Sequence, residues 1–272
     1  MYTSLFNLQG KVAAISGGTG ILGSAMAEAL AKEGVKVALL DRNPDKSNTL
    51  LQNAKNNGWT IKSYKADVLD EGIMNAVHKL VVSDFDKVDI LINAAGGNMP
   101  GSTIGPDQDI LALSIAETKK VLELNYLGTV IPCQVFLKSM IENKKGCIIN
   151  ISSMSAQQPL TRVMGYSSSK AAIDNYTKWL AVELADKFGE GFRVNAIAPG
   201  FFLTNQNKTL LTNADASLTA RGNTIIEHTP FKRFGSPEEL IGTLIWLCSD
   251  ASKFVTGTVI PVDGGFSAFS GV

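Results

Sequence analysis

One stretch near the start of this 272-residue chain constrains its fold more than any other. An apolar run, Val12 to Ile15, reads as a buried strand. It enters a glycine-rich turn, Ser16-Gly17-Gly18-Thr19-Gly20-Ile21-Leu22-Gly23. A helix follows, with Ala25, Met26, Ala29 and Leu30 on its apolar side, closed at Gly34 by a left-handed stop. A second strand, Val35 to Leu40, ends on Asp41-Arg42. Strand, glycine turn, helix, strand and acid within about thirty residues is the context that dinucleotide binding needs. Glycines let the backbone approach a pyrophosphate, and a helix N-terminus turns free N–H groups toward that anion. Gly17, Thr19, Gly20, Ile21, Leu22 and Gly23 are therefore expected to cradle the cofactor. Asp41 lies about 20 residues on, where a carboxylate accepts from the adenosine ribose hydroxyls. It repels a 2′-phosphate, which favours NAD. Arg42 leaves NADP open, because a guanidinium pairs with such a phosphate.

The alternation continues to the end of the chain. Helices are expected over 44–57, over 70–85 with Ile73, Val77, Leu80 and Val81 inward and Asp70 as cap, over 115–143 with a bend or break at Pro132, and over 236–248. Strands are expected over 60–65 (an edge strand), 89–93, 147–151, 193–198 and 258–262. Loops are expected near 97–114 and 201–229. The count predicts an α/β fold: one doubly wound Rossmann-type domain over 1–272, with about seven parallel strands and helices on both faces. No linker or repeat divides it. Net charge is zero and no basic stripe appears, so nucleic acid is not an expected partner. The start does not read as a secretory signal, and no apolar run approaches the ~18 to 20 residues that span a bilayer. Cys133, Cys147 and Cys248 lie far apart in apolar runs, as buried reduced thiols do, and no metal cluster is expected. A cytoplasmic protein with no membrane partner is the expectation.

In such sheets, ligands collect beyond the carboxyl ends of the strands, where the strand order reverses. Gly17, Asp41, Asp67, Asn93, Ser153 and Pro199-Gly200 all fall there. A further pair, Tyr166 and Lys170, opens the helix whose buried face is Ile173, Tyr176, Leu180 and Leu184. Four residues apart on a helix, both lie on one side. An ammonium near a phenol lowers its ordinary value of ~10 and makes a general acid/base for neutral pH. Each of these groups also has a plain structural role open to it. Ser153 could cap a turn, Asn125 could be an ordinary polar face residue, Asn93 could satisfy a strand end, and Pro199-Gly200 could simply break a strand. His78 and His228 are isolated and read as structural.

Taken together, Ser16 to Gly23, Asp67-Val68, Asn93-Ala94-Ala95-Gly96, Asn125, Ser153, Tyr166-(x)3-Lys170, Pro199-Gly200 and Val262-Asp263-Gly264-Gly265 resemble the short-chain dehydrogenase/reductases along nearly the whole sequence. One departure stands out. The family turn is Thr-Gly-x-x-x-Gly-x-Gly, whereas here Ser16 replaces the threonine, Ile21 holds the middle glycine position and a glycine sits one earlier, at Gly20. The resemblance implies roles. Tyr166 is the acid in reduction and the base in oxidation. Ser153, thirteen positions earlier, hydrogen-bonds the same oxygen. Lys170 tunes Tyr166 and holds the nicotinamide ribose, and Asn125 fixes a water linking Lys170 to solvent. It extends the cofactor contacts to Asp67, Val68, Asn93, Ala94, Gly96, Pro199, Gly200, Phe202 and Thr204. It also implies a homotetramer, with the apolar ending 266–272 at a subunit contact.

The C-terminal half, from Asn150 through Pro159-Leu-Thr-Arg162, Ala198 to Thr204, Leu210 to Asn213 and on to Phe266-Ser-Ala-Phe-Ser-Gly-Val272, is similar to one group within that family, the D-mannonate oxidoreductases (fructuronate reductases). That similarity implies a sugar-acid substrate, with NAD(H)-dependent interconversion of D-fructuronate and D-mannonate. Arg162 would grip the carboxylate, or serve as a surface or subunit-contact residue instead. Asn98, Asn205, Gln206 and Lys208 stand on the loops expected to cover the substrate. Two alternatives remain: the same chemistry on another sugar acid, polyol or ketone, as in a gluconate 5-dehydrogenase, or a nicotinamide-binding protein without turnover.

Overall fold

The computed structural model describes residues 2–204 and 207–271. Seven parallel strands form one sheet in the order β3-β2-β1-β4-β5-β6-β7. They are β1 (Val12–Ser16), β2 (Lys36–Asp41), β3 (Ile61–Lys65), β4 (Ile90–Asn93), β5 (Gly146–Ile151), β6 (Phe192–Pro199) and β7 (Val259–Val262). Strand order reverses between β1 and β4, where Ser16 pairs with Asn93. Every residue of β1, β4 and β5 is buried, as expected of strands covered on both faces.

Successive strand residues point to opposite faces, so each strand feeds two cores. Val12, Ala14, Leu40, Leu91 and Ile148 pack with α3 (Glu71–Phe85), α5 (Gly128–Glu142) and α6 (Met164–Phe188). Ile15, Val37, Leu39, Ile92 and Ile149 pack with α1 (Ile21–Lys32) and α9 (Ile241–Cys248). The remaining helices are α2 (Asn48–Asn57), α4 (Ile115–Leu122), α7 (Lys208–Leu211) and α8 (Ala220–His228). Asp70 caps α3 by accepting from the Ile73 N–H at 2.8 Å. Before α9, the Glu239 carboxylate accepts from the Ser236 N–H at 2.9 Å, which is the return arm of a capping box.

Two expectations about helices need correction. On α3 the buried set is Met74, Val77, Val81 and Phe85, whereas Ile73 and Leu80 are 41% and 56% exposed. The helix is rotated because its flank meets α5 through polar groups: His78 Nε2 bonds Ser139 Oγ at 2.8 Å, and Asn75 Oδ1 accepts from Lys138 at 2.9 Å. The helix expected over 115–143 is interrupted, not at Pro132 but by a π-turn, Glu123–Leu127, that carries Asn125. In the apolar ending, Phe266 packs against Phe201 (centroids 5.1 Å apart) and Phe269 against His228 (6.5 Å) of the same chain. Cys133, Cys147 and Cys248 are buried free thiols. No helix among the described residues is long and apolar enough to cross a membrane.

Candidate active site

The glycine turn leaves the end of β1 with Gly17 in the left-handed region (φ 66°). A Cβ at Gly17 would meet the Ala95 backbone nitrogen at 2.7 Å, and one at Gly23 would meet the Gly17 carbonyl oxygen at 2.3 Å. Only glycine lets the β1 turn, the β4 turn and the first turn of α1 close on one another. The N-cap of α1 is Gly20, which offers no side chain to the first-turn N–H groups. Those donors, with the helix dipole behind them, suit an anionic pyrophosphate. An open cleft beside the turn is lined by Gly18, Thr19, Ile21, Lys46 and Ser47. Asp41 ends β2, with Oδ1 accepting from the Asn43 N–H at 3.0 Å, while Arg42 is exposed. The first-turn N–H groups of α1, left without a side-chain cap beside the open cleft, fit the anionic pyrophosphate of a dinucleotide. Gly20 closes the turn, its N–H donating to the Gly17 carbonyl at 3.0 Å, and Ile21 opens α1 at the position where the family pattern has its middle glycine.

Other expected cofactor residues divide into two groups. Asp67 shapes the turn after β3, accepting from the Leu69 N–H at 3.0 Å. Gly200 extends the β6–β7 pairing through its N–H to the Val262 carbonyl at 3.0 Å, next to Pro199. Thr204 donates its N–H to Asn207 Oδ1 at 2.8 Å. Ala94 donates its N–H to the Ser16 carbonyl at 3.1 Å. Three side chains turn inward instead, leaving only their backbone for a ligand. Asn93 is buried and donates to Asn150 Oδ1 (2.9 Å) and Cys133 Sγ (3.1 Å). Val68 packs toward Gly128, where an added Cβ would lie 3.0 Å from Val68 Cγ2. Phe202 is core, its ring 2.6 Å from where a Cβ on Gly235 would stand.

Beyond β5 the backbone sets Ser153 as the cap of a short 3-10 turn. Ser153 Oγ accepts from the Ser155 N–H at 3.2 Å and the Ser155 hydroxyl at 3.0 Å. With both acceptor positions used, its own proton is left to donate. Tyr166 lies in the first turn of α6 and has this hydroxyl as a hydrogen-bond partner. Burial pushes the phenol above its ordinary value, and the Ser153 hydrogen bond works against that rise.

Lys170 is buried and donates Nζ to the Ile151 carbonyl at 2.7 Å. It stands over the Tyr166 ring, 5.6 Å from the centroid. Burial brings its own value down to about 8, opposed by the Asp174 carboxylate. The expected lowering of the phenol by Lys170 is therefore not what the structure shows. Desolvation of Tyr166 outweighs the opposing Ser153 hydrogen bond.

Asn125 is fully buried, and its side chain is wholly engaged. Nδ2 donates to the Gly97 carbonyl (2.7 Å) and the Val121 carbonyl (2.8 Å), and Oδ1 accepts from the Gly97 N–H (3.1 Å). It clamps the loop after β4. At Gly96, an added Cβ would meet Asn125 Oδ1 at 2.6 Å and Lys170 Nζ at 3.4 Å, so that loop runs between the two.

Sequence reasoning missed a polar layer beneath these groups. Asp174, one turn beyond Lys170, accepts a short hydrogen bond from the Ser152 hydroxyl. Asn150 Nδ2 donates to Thr177 Oγ1 at 2.9 Å. The spacing of Asp174 from Lys170, again four residues, was the available signal.

The two substrate candidates lie in or against the loop after β4. Asn98 donates Nδ2 to Thr103 Oγ1 at 2.8 Å, while its buried Oδ1 has no partner among the described residues. Arg162 sits in the left-handed region (φ 77°) and donates Nε to the Ile104 carbonyl at 2.6 Å. Lys208 opens α7. Asn205 and Gln206 lie outside the described residues.

A glycine cradle at the switch point, with Ser153, Tyr166 and Lys170 gathered beyond β5, is the layout of one enzyme class. The family profile described as "Enoyl-(Acyl carrier protein) reductase" matches residues 18–267, and the chain belongs to the short-chain dehydrogenase/reductase family. It is an NAD(P)-dependent oxidoreductase of that family. Among its relatives is the "Uncharacterized oxidoreductase UxuB" of Bacillus subtilis, 45% identical over 98% of both chains. A solved Haemophilus structure called a "putative D-Mannonate oxidoreductase", with bound NAD, is 42% identical with a TM-score of 0.91 over 98% of both chains. A gluconate 5-dehydrogenase from Burkholderia cenocepacia, solved with NADP and tartrate, is 29% identical with a TM-score of 0.86, over 98% of this protein and 99% of that one.

Proposed function

We propose that the protein interconverts a ketouronate and an aldonate, D-fructuronate and D-mannonate, with NAD(H) as the preferred cofactor. The observation that carries this reading is the pairing of a buried phenol–hydroxyl couple, Tyr166 and Ser153, with the guanidinium of Arg162, just before Tyr166 in sequence and tied among the described residues through its Nε alone. A bound nicotinamide nucleotide supplies or accepts the hydride. The protein's own groups handle the proton and the charge. Tyr166 gives its proton to the carbonyl oxygen in reduction and takes it from the alcohol in oxidation. Ser153, whose proton is free to donate, holds the same oxygen and supports its developing charge. Lys170 holds the ribose hydroxyls, and Asn125 keeps the Gly96–Gly97 loop in place while a water at its π-turn relays protons to Lys170. The cradle residues Gly17, Thr19, Gly20, Ile21, Leu22 and Gly23, with the backbone at 93–96 and 199–204, hold the cofactor. Asp41 selects NAD. The Asn98 carbonyl oxygen, without a partner among the described residues, suits a substrate hydroxyl.

The Haemophilus neighbour supports the mannonate assignment. The gluconate 5-dehydrogenase neighbour supports a second reading, the same chemistry on another sugar acid. Tyr166→Phe tests the reaction. Turnover of D-fructuronate falls by about 10³-fold, while NADH binding, followed by fluorescence, stays within about two-fold of wild type. Retained turnover would remove Tyr166 from the chemistry.

A further inference from the structure

Arg162 is one of few non-glycine residues in the left-handed region. A side chain there is disfavoured, and the surrounding structure must hold it. Two hydrogen bonds to one residue do so: the Ile104 N–H donates to the Arg162 carbonyl at 3.0 Å, and Arg162 Nε donates to the Ile104 carbonyl at 2.6 Å. With Nε tied back, the two terminal nitrogens of Arg162 have no acceptor among the described residues. A second guanidinium reaches the same turn from α8. Arg221 Nη1 and Nη2 donate to Thr161 Oγ1 and the Thr161 carbonyl, both at 3.3 Å. These are long bonds, and they place Arg221 against the residue next to Arg162. Burial and the Arg162 charge both act to weaken proton binding at Arg221, in that order. Neither arginine joins any of the five ion pairs among the described residues.

Two like charges drawn together on a strained turn, with no carboxylate between them, need a counter-charge. We propose that Arg162 and Arg221 form a two-armed grip for the carboxylate of the substrate. This rests on the sugar-acid reading above and deepens it. A carboxylate has two oxygens, each able to face one guanidinium fork. The grip joins three segments: the loop at Ile104, the turn before α6, and α8. Its occupant is an acidic hydroxy- or keto-compound, and an uncharged polyol would leave both arms unpaired. Arg221 thus determines specificity by binding, without taking part in proton or hydride transfer.

The test is calorimetric titration of D-mannonate, D-gluconate, tartrate and uncharged D-mannitol into NADH-loaded protein. It is run on wild type, Arg162→Ala, Arg221→Gln and the double variant. Arg221→Gln keeps a donor for Thr161 and removes the charge, and an unchanged melting temperature confirms its fold. Each single variant is expected to weaken the best-bound acid about 10- to 100-fold, and the double variant little more, since both arms share one ligand. The expected NADH affinity is unchanged, and the KM for the methyl ester of D-fructuronate is the same in all four proteins. If wild type prefers an acid to D-mannitol and Arg221→Gln keeps that preference, the grip is wrong and the sugar-acid reading stands. If wild type binds none of the acids more tightly than D-mannitol, both fall.

Discussion

Tyr166 and Lys170 are close neighbours, yet burial acts on them in opposite senses. It raises the phenol and lowers the ammonium to about 8. A raised phenol stays protonated at neutral pH, which suits the acid of a reduction. Oxidation needs the phenolate, so its rate should climb with pH through the alkaline range while the reductive rate falls. A pH-independent oxidation would contradict that. Lys170 has a stability signature as well. Its folded value lies below the ordinary 10.5, so below about pH 8 the buried charge costs the folded state its full amount, about 3 kcal/mol. Between about pH 8 and 10.5 the unfolded state binds more protons, and stability rises with pH. Lys170→Met lacks this rise. Denaturant unfolding at pH 7 and pH 10 should show wild type gaining on the variant at the higher pH, and a constant difference would refute it. Tyr166, Lys170 and Ser153 were legible in the sequence because short-range spacing fixes them: one helical turn, and one strand-to-helix connection. Asp174 obeys the same turn spacing and was overlooked. Arg221 could not be found this way, because it lies 60 residues from Thr161 and only the path of α8 brings it back.

At the scale of elements, period and breakers located every strand and most helix limits: the inner strands, buried on both faces, read as unbroken apolar runs, and the edge strand β3 alternates. The rotation of α3 was hidden, since its direction depends on where α5 lies. The π-turn was hidden too. It shifts the hydrogen-bond register without disturbing the apolar pattern that reveals a helix. Its consequence is testable. Asn125 supplies one donor and one acceptor to Gly97 in a buried loop and a second donor to the Val121 carbonyl of α4. Asn125→Ala leaves those backbone groups unpaired at about 1–3 kcal/mol each. A lowered melting temperature and weaker NADH binding are the expected results, and Asn125→Asp should recover part of the Gly97 contact. An alanine variant with wild-type stability would show that the clamp contributes nothing. Gly23→Ala should be harsher for the cofactor, since its Cβ has backbone 2.3 Å away.

At the scale of the whole molecule, the parallel strands put Gly17, Asp41, Asn93, Ser153 and Pro199 together at their carboxyl ends, a placement that follows from strand direction and from the reversal of order between β1 and β4. Sequence could supply the parallel sheet and the carboxyl ends of its strands, but not which side chains turn inward: Asn93 and Phe202 serve the core because of partners on distant strands and loops. The outer face of α6 exposes Trp179 (57%) and Val182 (69%), large apolar groups that suit the homotetramer implied by the family resemblance. Light scattering on the purified protein should give four times the mass of one protomer, and Val182→Glu should lower it; a monomer would refute the assembly. The central claim, reduction of a ketouronate by Tyr166 chemistry, is tested most directly by the loss of NADH absorbance with D-fructuronate. Uncharged ketoses and NADPH serve as comparisons. The predicted result is turnover with NADH and D-fructuronate that exceeds every uncharged ketose and vanishes in Tyr166→Phe. Equal or greater turnover of an uncharged ketose, or none with any ketouronate, would contradict it.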